Sequence, residues 1–277
     1  MAKKRKTKRN KKLTLKDILV IILIIIWVAS ALHQFYLNYI KPQTEPTVTV
    51  EQPNTTVEPT PTTTPDNISV DDKELYNTLA SLRYNGSAYK VINDGVPFFK
   101  DETYETEFEI YSGLDDLGRC GPAFANISPL TLPEGKRGDI SKVKPTGWHS
   151  YNAKELFGQP LIDNTQSVYN RSHLIAYSLT AEDANKENLI TGTRYLNMNM
   201  TDFETEVLNY VRKTQQHVLY RVTPIFEGDN LLANGVLMEA KSVEDPSVQY
   251  CVYLFNVQPL KDGTMIEIDY KTGEIKH

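Results

Sequence analysis

Asn170-Arg171-Ser172-His173 follows a loop and runs into the apolar stretch Leu174-Ile175-Ala176-Tyr177. In an extended segment successive side chains alternate, so Arg171 and His173 point to one side. A neutral imidazole can take a proton from water, and a guanidinium can hold a phosphate oxygen. Cleavage of a phosphodiester also calls for a cation to neutralise developing charge. Asn197 closes the run Asn188-Leu189-Ile190-Thr191-Gly192-Thr193-Arg194-Tyr195-Leu196-Asn197, and its amide oxygen suits Mg²⁺, a hard cation that keeps several waters. Glu204 lies seven residues on, where it could hydrogen-bond a metal-bound water. Each residue also has an ordinary reading. His173 could be a hydrogen-bonded structural histidine, Asn197 a turn or cap residue, and Glu204 the acid of a capping box opened by Thr201.

These residues need elements to position them. Phe203, Val207, Tyr210 and Val211 recur at helical spacing and predict a helix over 201–216 that buries one stripe. Leu75, Leu79 and Leu82 predict a shorter helix near the start of the ordered sequence. YKVIND, GVPFF and TEFEIYSG have strand character, and so do HVLYRVTPIF, LLANGVLMEAKSV and QYCVYLFNVQP. Residues 115–170 read as loop-rich. The pattern is mixed α+β with one well-supported central helix.

The run YNRSHLIAYSL…NLITGTRYLN…FE resembles the DNA/RNA non-specific endonucleases, in particular the membrane-anchored and secreted DNA-entry and streptodornase-type nucleases of Gram-positive bacteria. The resemblance covers about residues 89–273 and takes in LDDLGR, KPTGW, HVLYRVTPIF, NGVLMEA and VQYCVYLFNVQP in order. It implies an α+β, ββα-metal (His-Me finger) core with a central antiparallel sheet and flanking helices. It implies His173 as general base, Asn197 as the direct ligand of Mg²⁺ (with Mn²⁺ as a substitute), and Arg171 and Arg119 at the phosphate or transition state. Glu204 would orient metal-bound water, and the products would carry 5′-phosphates. DNA and RNA would be gripped through the backbone, with little sequence preference. The chain departs from the family pattern twice. Asn170 stands where Asp is commoner. The Asn197-to-Glu204 spacing is one residue short, which leaves Glu206 as an alternative carboxylate and Asn199 as a second metal contact.

The remaining sequence frames this unit. Nine of the first 16 residues are Lys or Arg, and the apolar run ILVIILIIIWVASAL follows from Ile18 to Leu32. Basic-then-apolar order is an export signature. Residues 1–17 read as the basic cytoplasmic end and 18–40 as a membrane anchor or a signal segment cleavable near Ala29-Ser30-Ala31. Residues 41–70, rich in Thr and Pro, read as an extended stalk, and 71–277 as the nuclease domain. The domain is thus expected outside the cell, anchored or released. Residues 1–70 carry a balance of +5 and residues 71–277 one of −10. An acidic body speaks against bulk electrostatic grip on nucleic acid and requires a local basic cleft. It also keeps a second reading open, a catalytically weak or inactive surface module that binds nucleic acid. A third, a nuclease delivered into other cells, lacks a delivery domain. Cys120 and Cys251 read as two buried thiols, although an oxidising compartment would allow them to pair. His149, His217 and Trp148 read as structural, and Lys142, Lys144 and Lys154 as solvated or as phosphate-tracking side chains.

Overall fold

The computed structural model describes residues 73–98 and 106–276. The basic segment 1–17, the apolar segment 18–40 and the stalk 41–70 lie outside the described residues. Among the described residues, no helix is long and apolar enough to cross a membrane.

Six antiparallel strands make the central sheet: β1 (Tyr89–Val91), β2 (Phe108–Tyr111), β3 (Ala123–Ile127), β6 (Val218–Ile225), β7 (Gly235–Ser242) and β8 (Gln249–Phe255), in the order β1-β8-β7-β6-β3-β2. The period-2 alternation of β6–β8 sends Val218, Tyr220, Val222, Val236, Met238, Ala240, Val252 and Leu254 to one face. Ile225, Leu237, Cys251, Tyr253 and Phe255 go to the other, where helix α1 (Lys73–Ser81) seals them with Leu79 and Ala80. Both faces are covered, so these strands read in sequence as near-continuous apolar runs.

Residues 115–170 are loop-rich as expected, with one strand that the sequence pattern does not show. Strand β3 is wholly buried and joins β2 to β6. Its five residues, Ala-Phe-Ala-Asn-Ile between Pro122 and Pro129, are too few and too small to show alternation. GVPFF makes no strand in its described part, Gly95–Phe98. Helix α2 (Ala153–Phe157), capped by Asn152, and helix α3 (Tyr177–Thr180) are short.

Strand β4 (Tyr169–His173) and strand β5 (Leu189–Thr193) form a separate antiparallel pair, and helix α4 (Arg194–Thr214) follows β5 without a gap. The helix therefore starts seven residues before the expected Thr201. Thr193 is its N-cap, with Oγ1 accepting from the Leu196 amide at 3.0 Å. Thr201 donates its hydroxyl to the Asn197 carbonyl one turn back instead of opening a capping box. Leu196, Met200, Val207, Tyr210 and Val211 form the buried stripe that packs on the first sheet face. Each such burial is worth roughly 1.5–3 kcal/mol. A small pair, β9 (Glu267–Ile268) and β10 (Ile275–Lys276), ends the described chain. Cys120 and Cys251 are buried free thiols in different core clusters.

Candidate active site

The β4–β5–α4 unit carries the chemistry-bearing residues. Arg171 pairs across the hairpin with Thr191, and His173 with Leu189. Gly192 is required where β5 crosses Ser172, because a Cβ there would stand 2.2 Å from the Ser172 hydroxyl. Three buried amides hold the unit in place, two of them from the segment that follows β8. Asn188 accepts from the Ile175 amide (2.8 Å) and donates to its carbonyl (2.9 Å), which sets the chain path just after His173. Asn256 accepts from the Thr193 amide (2.8 Å), and Gln258 accepts from the Tyr195 amide (2.9 Å). Together they satisfy orphan N–H groups at the start of α4. Both come from the NVQP run, 63 residues beyond the amides they accept from.

A cleft of about 550 Å³ opens over this unit. Asn170, Arg171, His173 and Asn197 all line it, as do Trp148, Arg137 and Arg194. His173 is 7% exposed. Its Nε2 lies 2.8 Å from the Asp183 carbonyl oxygen. A carbonyl only accepts, so Nε2 carries the proton and Nδ1 presents its lone pair. The Arg137 Nη2 stands 3.4 Å from that Nδ1. Burial, and then the Arg137 charge, push the imidazole below its usual value. At neutral pH it is an uncharged base aimed into the cleft.

Arg171 is held at three points: Nε donates to the Val143 carbonyl, Nη2 donates to the Ser141 carbonyl at 2.6 Å, and its guanidinium carbon lies 4.0 Å from the centre of the Trp148 ring. Arg137 faces Asp183 at 3.8 Å, and Arg194 pairs with Asp163 at 2.7 Å. Among the described residues, three guanidinium groups and no carboxylate line the cleft. This is the local basic surface that an acidic body requires. Sequence reasoning missed Arg137 and Arg194. The KRGD run around Arg137 has no periodicity, and the bond from the Gly138 amide to Asp183 (2.6 Å), with the Arg137–Asp183 pair, brings it over His173.

Two expected site residues are placed elsewhere. Arg119 is committed to Asp115 (2.7 Å), to the Gly228 and Asn230 carbonyls (2.7 and 3.0 Å) and to the Phe226 ring. It clips two loops together and does not line the cleft. Glu204 also does not line the cleft. It sits two turns beyond Asn197 at the edge of the core-facing stripe, and burial pushes its carboxyl up to about 8. Glu206 and Asn199 are likewise absent from the lining, and Asn199 donates back to the Tyr195 carbonyl.

The cleft residues fit a hard cation. Among the described residues, neither the Asn170 nor the Asn197 side chain has a hydrogen-bond partner. Among the same residues, no cluster of three or more His, Cys, Asp or Glu could hold a metal ion. The described donors, neutral amide oxygens, suit a hard cation whose other positions are filled by water and phosphate.

Hairpin β4–β5, which carries His173, continued by helix α4, which carries Asn197 beside three arginines, is a ββα arrangement. The chain belongs to the DNA/RNA non-specific endonuclease family, which matches residues 100–244. The fold is similar to that of NucA from Streptococcus agalactiae. The magnesium-bound structure of NucA is 23% identical with a TM-score of 0.55, covering 67% of this chain and 85% of that one. The metal-free structure is 21% identical with a TM-score of 0.56, covering 74% and 97%. No curated protein matches the chain.

Proposed function

We propose that this chain is an extracellular, sequence-non-specific endonuclease that hydrolyses DNA and RNA phosphodiester bonds, with a divalent cation, Mg²⁺ or Mn²⁺, held by Asn197. The observation that carries this reading is the pairing of a proton-accepting His173 Nδ1 with the unpaired Asn197 amide in one arginine-lined cleft. His173 takes a proton from the attacking water at Nδ1 while Asp183 holds the ring by its other nitrogen. Arg171 presents its remaining N–H groups to a phosphate oxygen. Arg137, beside Nδ1 and paired with Asp183, is a second guanidinium at the cleft for the phosphate. A divalent cation held by Asn197 would supply neutralisation of the charge that develops during cleavage. Contacts confined to the backbone account for a lack of sequence preference, and 5′-phosphate ends are expected. The basic residues of 1–17 followed by the apolar stretch within 18–40 support export, with the nuclease unit anchored through the membrane or released.

The test is digestion of plasmid DNA, single-stranded DNA and RNA by the purified protein with Mg²⁺, Mn²⁺ or EDTA, alongside Asn197→Ala. All three substrates should be cut, EDTA should stop the reaction, and the variant should lose at least about 100-fold in rate. Cleavage that persists in EDTA, or a fully active variant, would remove the metal reading. Inert RNA would restrict the substrate to DNA.

A further inference from the structure

Trp148 lines the cleft, yet its ring is stacked by Arg171 at 4.0 Å and is partly buried against the apolar cluster that includes Ala153, Val168 and Tyr169. We propose that Trp148 is a positioning residue for the reaction: it acts through Arg171, holding that guanidinium at the one attitude that meets the scissile phosphate. This rests on the proposed contact of Arg171 with phosphate.

The segment from Ser141 to His149 is built for the task. Its carbonyls at Ser141 and Val143 take two N–H groups from Arg171, and Trp148 takes the flat face. Two directional bonds and one stacking contact leave the guanidinium no free rotation, and the remaining N–H groups point away from them. The segment is itself pinned. Thr146 donates to the Leu231 carbonyl at 2.6 Å, Thr191 donates to the Thr146 carbonyl at 2.8 Å, and His149 meets the Thr272 carbonyl at 3.1 Å. Gly147 takes φ +63°, and a Cβ there would stand 2.2 Å from Leu232. A loop fixed so firmly, with its large aromatic ring facing an arginine, is more than a cleft wall. Without the ring, Arg171 keeps its two carbonyl bonds but can tilt about them.

A misplaced group that acts in the transition state lowers kcat more than it raises KM. Trp148→Leu in the full chain should lower kcat about 10- to 100-fold with KM within about threefold, and Trp148→Phe, which restores a ring face, should recover most of the loss. In an Arg171→Ala background, Trp148→Leu should cost less than about twofold, because its only route to the reaction has gone. The proposal is overturned by an equal loss in both backgrounds, by Phe performing no better than Leu, or by a loss confined to KM, which would mark Trp148 as a stacking surface for a nucleobase. If Trp148→Leu fails to fold, Trp148→Met, which keeps more of the volume but has no ring face, gives the same comparison in the two backgrounds. If Arg171→Ala alone is fully active, the phosphate role of Arg171 fails first.

Discussion

Glu204 offers a prediction whose size can be worked from the structure. It sits on the core-facing edge of α4, and Tyr220 and Tyr250, both buried, have phenols raised by burial and further by the Glu204 charge. Its own carboxyl stands at about 8 against an ordinary 4.5. The folded protein thus keeps a proton that the unfolded chain gives up. The resulting stability is complete below pH 4.5, falls as pH climbs from 4.5 to about 8, and is flat above that. The displacement would correspond to at most about 5 kcal/mol, and water reaching a half-buried carboxyl brings the expectation to about 2 kcal/mol. Glu204→Gln keeps the volume and cannot ionise. Urea unfolding followed by circular dichroism should give equal stabilities near pH 4.5, and a variant about 2 kcal/mol more stable at pH 8.5. Its kcat/KM should stay within about threefold of wild type. A stability difference independent of pH would refute the buried-carboxyl reasoning. A loss of activity of about 100-fold would return Glu204 to the site.

Three further outcomes are expected. The His173 pKa is lowered by burial and Arg137, so the acid limb of kcat/KM should lie below pH 6.5, and Arg137→Ala should move it upward; an unmoved limb would show that Arg137 does not act on His173. Gly192→Ala should cost about 1–3 kcal/mol in urea unfolding, since its Cβ would meet the Ser172 hydroxyl at 2.2 Å; a neutral effect would mean the hairpin yields. Arg119→Ala should lower stability by about 1–2 kcal/mol through its lost loop contacts while kcat/KM stays within about threefold, and a large kinetic loss would place Arg119 at the phosphate.

The sequence made some of this legible for identifiable reasons. Strands β6 to β8 are long and buried on both faces, so their apolar runs stand out. Arg171 and His173 could be placed together because strand alternation is rigid. The start of α4 was misread because Thr201 and Glu204 match a local capping pattern, whereas the true boundary is set by Thr193 with Asn256 and Gln258, which reach it from far along the chain. Strand β3 has no pattern of its own and is specified by pairing with β2 and β6. Arg137 and Arg194 enter the cleft through tertiary contacts with Asp183 and Asp163, for which no spacing rule exists. The acidic total charge misdirects for the same reason: it averages over a surface on which three arginines meet at the cleft.

The central claim is that His173 is the base of a cation-assisted phosphodiester cleavage. The most direct test is conversion of supercoiled plasmid by the wild-type protein and by His173→Ala, at equal concentration with Mg²⁺, after circular dichroism shows both folded. The account predicts short fragments from the wild type and a loss of at least about 1000-fold in the variant, with DNA binding retained. A folded His173→Ala protein that cuts at the wild-type rate would contradict it.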